Sequence, residues 1–145
     1  MPWILIAHLL GAAIWTVGHL ILAVSVLPRA LSRRDAGVVQ QFEEVFERIG
    51  LPALVLQIVT GFILASRWIP GFWAWFDLTS PITRVVWLKL LCLVATLGLA
   101  VHARFRLIPA LTNERLSTLA LHILGVTVLG VIFVVLGASL RVGGI

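Results

Sequence analysis

Charge is scarce in this sequence. Asp, Glu, Lys and Arg make up 12% of the 145 residues, about half the share usual in soluble domains. Cysteine is nearly absent. The single copy, Cys92, lies inside an apolar run, which excludes a disulfide framework and a thiolate metal cage. Methionine occurs only as Met1, which weighs against a Cu(I) conduit built on thioethers but not against Cu(II). No glycine-rich nucleotide-binding loop, Ser-His-Asp arrangement, internal repeat or low-complexity tract is present. No basic residue precedes the first apolar run. That argues against a cleaved leader, which needs a positive n-region.

What the chain has instead is apolar surface. Hydrophobic residues account for 61%, and the mean hydropathy is +1.11. A soluble domain of this length leaves too much of its surface exposed to hide that content, whereas lipid removes the difficulty. A membrane-spanning helix needs about 20 mostly apolar residues, and four runs qualify: about 3–27, 49–66, 85–105 and 116–140. The expected fold is a single all-α domain, a four-helix up-down bundle in lipid. The net charge of +5 does not point to nucleic acid, because the arginines sit at the ends of the runs, where they set topology. Arg29, Arg33, Arg34, Arg48, Arg104, Arg106 and Arg115 fall on the side of the first and third loops. Arg67, Arg84, Lys89 and Arg141 fall on the other. The richer side is expected to face the cytoplasm, with both termini outside, in the periplasm if the membrane is a bacterial inner membrane.

Two loops carry more than connection. Asp35 is a candidate helix cap, and Val38, Phe42, Val45, Phe46 and Ile49 recur at helical spacing. The second helix is therefore expected to start near Ala36 and project beyond the bilayer, with Pro52 as a possible kink. The second loop holds Trp68, Phe72, Trp73, Trp75 and Phe76. It reads as an interfacial aromatic belt or as a lid over an outward-facing site.

All four histidines lie within the apolar runs, where an ionisable side chain is costly and usually faces the bundle interior. His8 and His19 share one face of the first helix, roughly 16 Å apart along its axis. Gly11, Trp15 and Gly18 lie on or beside that stripe, and the glycines leave room for a second helix or a flat ligand. His19, His122 and His102 fall about 12, 9 and 5 Å from the cytoplasmic ends of their helices, so three helices bring imidazoles to one level. His8 stands apart, near the level of Lys89. Haem iron takes axial histidines, and bundle cores hold such cofactors. His19 and His122 match best in depth, with His102 as alternative ligand or partner. Gly98 and Gly125, one turn from His102 and His122, give a ring space, and Arg104 and Arg106 are candidates for its propionates. Two to four imidazoles also suit copper or zinc, and simple hydrogen bonding between helices is the plain alternative. Lys89 either snorkels outward or acts as a cation beside His8. Gln57 and Thr60 are expected to hydrogen-bond between helices, and Gly130 and Gly137 to allow close packing.

The run from His8 through Trp15 to Gly18, followed by Leu27-Pro28-Arg29, resembles the first helix of the CopD copper-resistance family and of the related HemJ-type protoporphyrinogen oxidases. Phe46 to Pro52 with Thr60-Gly61 is similar to their second helix, Trp87 to Leu90 with His102 to the third helix of the HemJ type, and Leu107 to Leu111 to CopD. The resemblance implies a four-helix bundle, and either copper handling or haem-linked redox chemistry on a porphyrinogen. His8, Trp15, Lys89 and His102 match the HemJ-like pattern. His19 and His122 do not, and the Asn-Glu-x-Pro-Thr run of that type is missing. The expectation is a membrane b-type haem protein, with His19, His122, His102 and His8 as metal-ligating candidates and quinone or a redox partner as reactant. A copper-binding or copper-transport protein is the alternative, and a protoporphyrinogen oxidase the third.

Overall fold

A computed structural model describes residues 2–143. Within them the chain is helical throughout its ordered elements: α1 (Pro2–Ile21), α2 (Leu27–Arg33), α3 (Gly37–Trp68), α4 (Pro81–His102) and α5 (Leu116–Ser139). Four helical stretches are long and apolar enough to cross a membrane: Pro2–Arg33, Gly37–Trp68, Pro81–Leu107 and Asn113–Val142. The chain is a multi-pass membrane protein.

The first stretch does not end at Pro28, where the apolar run ends. Leu22–Val26 forms a π-helical turn and α2 carries the helix on to Arg33, with Pro28 in its first turn. Proline lacks an N–H and crowds the carbonyl four residues back. The widened turn just before it, where the Leu27 N–H reaches the Leu22 carbonyl, lets the helix continue. Arg34, in the left-handed region at φ 50°, ends it. The Asp35 carboxylate then accepts the Gly37 N–H at 2.9 Å, so Asp35 does act at the start of the second span. The Ala36 N–H donates to Asn113 Oδ1 at 3.0 Å, tying the first loop to the third.

At 32 residues, α3 is roughly 48 Å long, well beyond a hydrocarbon core of about 30 Å. It is thus longer than a perpendicular crossing requires, and Pro52 sits inside it without ending it. Ser80 caps α4, accepting the Thr83 N–H, with Pro81 in the first turn. That placement uses proline where its missing donor is not needed. A second π-helical turn, Ala103–Leu107, follows α4 directly.

α1 packs between α3 and α5, and α5 packs on α4, whereas α3 and α4 make little direct contact. The ring of helices is therefore loosest between α3 and α4. The end bearing the first and third loops is here termed the basic end, and the opposite end, with the Trp68–Phe76 segment, the aromatic end. The main core lies at the basic end, among Leu22, Leu27, Val39, Leu107, Leu116 and Leu119. Many large apolar side chains, such as Val24, Val55, Val94 and Leu121, point outward, as lipid allows.

Candidate functional site

α1 meets α3 across two glycines. A Cβ on Gly11 would lie 2.9 Å from the Ala53 carbonyl oxygen, and one on Gly18 would lie 2.0 Å from the Phe46 ring. The room beside the histidine stripe is thus filled by α3 and one of its aromatic rings. Phe46 packs edge-on to His19, with centroids 5.3 Å apart, and Trp15 lies against the same imidazole at 4.4 Å and against Phe46 at 6.3 Å. His19 Nδ1 donates to the Trp15 carbonyl at 2.9 Å. A carbonyl only accepts, so the proton is on Nδ1 and Nε2 keeps its lone pair. Metal-binding histidines are commonly oriented by such a bond.

His122 follows the same rule. Its Nδ1 donates to the Thr118 carbonyl at 3.2 Å, leaving Nε2 as an acceptor. His102 Nδ1 lies 2.8 Å from that nitrogen, so His102 is the donor, and its own Nε2 carries a lone pair. The two rings stack at 4.9 Å with 25° between their planes. His102 is exposed on the bundle surface and His122 is half-buried. The expectation that every histidine faces inward therefore does not hold for His102, because α4 and the π turn after it direct Leu99, Ala100, Ala103 and Arg104 toward the interior instead.

His19 and His122 border one cavity of about 120 Å³. Glu43, Glu47 and Arg104 also line it, and Arg104 pairs with Glu47 at 3.0 Å. Arg104 thus has a carboxylate of its own chain. Arg106 is exposed on the second π turn. Gly98 has open space around it, and Gly125 packs on Leu99. Neither borders the cavity, so they do not clear room between the two histidines. Among the described residues, no group of three or more His, Cys, Asp or Glu side chains forms a ready metal cage.

At the aromatic end, His8 Nδ1 lies 3.1 Å from the Gln57 carbonyl and 3.0 Å from Thr60 Oγ1. The Thr60 hydroxyl donates to the Leu56 carbonyl. Thr60 therefore bonds between helices through its side chain, whereas Gln57 does so through its backbone. His8 and Lys89 line a second, larger cavity of about 680 Å³ with Trp68 and Trp75. The aromatic segment divides: Trp68 and Trp75 reach that cavity, with Trp68 also half exposed, while Phe72, Trp73 and Phe76 are exposed and do not border it. Gly130 packs on Thr16, as a close-packing position should.

The sequence pattern of the family described as copper resistance protein D matches residues 40–140. The chain belongs to that family. No curated protein and no solved structure matches it significantly. The copper resistance protein D match covers His102, His122, Lys89, Glu43 and Glu47, while His8 and His19 lie before it. The segment shared with the family thus contains the stacked imidazole pair.

Three features of the site escaped the reading of the sequence. Glu43 and Glu47 face the cavity from α3; their spacing of one helical turn, on the part of α3 before Pro52, was the available signal. The two π turns, close to His19 and next to His102, have no sequence signature, although such turns often mark functional sites. The Trp15 indole N–H, buried without an acceptor, is visible only in three dimensions.

Proposed function

We propose that this protein binds copper ions and handles them within the membrane, with His102 and His122 as nitrogen donors. One observation carries the reading: the stacked imidazole pair lies inside the stretch shared with the copper resistance protein D family. Imidazole suits copper, and Cu(II) heads the affinity order of divalent first-row metals. His102 Nε2 presents a lone pair, and His122 Nε2 frees its own when the bond between the rings opens. Copper is cargo in this reading. Two donors, with no third His, Cys, Asp or Glu grouped beside them among the described residues, favour uptake and release over permanent retention. In this reading the basic end, and the pair with it, faces the cytoplasmic side of a bacterial inner membrane, an orientation that the arginine count supports.

A b-type haem between His19 and His122, passing electrons to quinone or a redox partner, finds no support in this geometry. Sites for organic ligands usually enclose about 300–1,000 Å³, against about 120 Å³ between these histidines. His122 Nε2 is also engaged by His102. The test is copper titration of the purified protein, with elemental analysis and a visible spectrum on the same sample. Copper should bind, with affinity falling about tenfold or more in His102→Ala and in His122→Ala. Equal affinity after loss of both imidazoles, or an iron-containing sample with a Soret band, would overturn the proposal.

A further inference from the structure

At the aromatic end the helices stand apart around the 680 Å³ chamber, and all four spans contribute to its wall. Its size is that of a site for a mid-sized organic ligand. Most of the wall is apolar, with Leu5, Leu54, Leu93 and Phe133 among its residues. Its charges are all of one sign. Lys89 and Arg141 line it, His8 adds an imidazole, and no Asp or Glu is present in the lining.

Lys89 is the informative group. It lies more than two turns inside α4, yet it faces the chamber. A Cβ on Gly137 would come 3.5 Å from its ammonium nitrogen, so the missing side chain on α5 provides the slot the ammonium occupies. Neither the Arg48–Glu44 nor the Arg104–Glu47 ion pair involves Lys89. An ammonium in apolar surroundings is costly without an anion, and a snorkelling lysine would reach for the interface rather than a glycine on the facing helix. Trp15, in the wall between the two cavities, holds a buried indole N–H with no acceptor. Both unpaired groups are donors. The slack seam between α3 and α4 offers an approach from the bilayer.

We propose that this chamber binds a long-chain monocarboxylate, a fatty-acid-like amphiphile, with its carboxylate on Lys89 and its chain along the apolar wall toward the α3–α4 seam. An ammonium–carboxylate hydrogen bond in a desolvated site is about twice as strong as a neutral one, which sets the preference for anion over neutral chain. This inference stands apart from the copper reading, because it uses neither His102 nor His122.

The test uses the full chain in nanodiscs of zwitterionic phosphatidylcholine. The probe is a conjugated tetraene fatty acid, which accepts energy from tryptophan, and its neutral methyl ester is the comparison. Trp15, Trp68 and Trp75 line the chamber and report occupancy by quenching. The acid should bind at least about tenfold more tightly than the ester, as a charge-assisted bond requires. Lys89→Met should abolish the preference and Lys89→Arg should retain it. Acid and ester quenching alike in the wild-type protein would overturn the proposal, a result independent of how any variant folds. An undiminished preference in folded Lys89→Met would also overturn it.

Discussion

Replacing Gly18 with alanine tests how the imidazole of His19 is held. The added Cβ would sit 2.0 Å from Phe46 Cε2 and 2.3 Å from Cζ, far inside contact distance, so the ring must move. It cannot retreat freely, because its opposite edge already lies over Gly50, where a Cβ would come within 2.9 Å. It also stacks on Phe42, with centroids 5.7 Å apart. Overpacking of this kind costs about 1–3 kcal/mol. The usual gain of alanine over glycine in a helix, about 1 kcal/mol, offsets little, since an unfolded span stays helical in lipid. A destabilisation of about 1–3 kcal/mol is therefore expected in reversible detergent unfolding. Phe46→Leu removes the obstructing ring edge, so Gly18→Ala should be close to neutral in that background, and the coupling between the two sites should approach the whole cost. Gly11→Ala is the contrast. Its Cβ meets the Ala53 backbone carbonyl at 2.9 Å, and no side-chain truncation can relieve that. Equal losses for Gly18→Ala with and without Phe46→Leu would refute the packing argument.

Other consequences follow from single contacts. Asn113→Ala removes the acceptor for the Ala36 N–H and should cost about 0.5–1.5 kcal/mol, with faster amide exchange at Ala36. The Arg104–Glu47 pair is half exposed at its arginine, so a double-mutant cycle on it should give a coupling below about 1 kcal/mol. In the loop at the aromatic end, hydrogen bonds from the Thr79 hydroxyl and amide hold the Asp77 carboxyl below the ordinary carboxylate range. A depressed value means that this turn is stabilised at neutral pH and loses that stabilisation as the pH falls through the lowered range. Fluorescence of the adjacent Trp73 and Trp75 should show an acid step that Asp77→Asn lacks.

The spans were legible because hydrophobic runs and arginine ends act locally. A run of apolar residues from Trp3 to Leu27 can only be a buried or lipid-facing helix. Depth was legible in part: rise per residue brought His19, His122 and His102 to one level with His19 and His122 as the best match, whereas the rings in contact are those of His102 and His122. Facing was harder. Gly98, one turn from His102, looks like space for a ligand, yet it opens outward, because its direction depends on how α4 rotates against α5. The continuation past Pro28 was hidden because proline normally ends a helix, and only the π turn Leu22–Val26 removes the conflict. The empty region around Lys89 was invisible because it comes from the slack packing of α3 against α4, a property of no single segment.

Electron paramagnetic resonance of the purified protein loaded with Cu(II) tests the central claim most directly. The account predicts a copper spectrum with nitrogen couplings from imidazole, reduced in His102→Ala and absent when His122→Ala is added. Nitrogen couplings that persist after both replacements, or no protein-bound copper signal in the wild type, would contradict it.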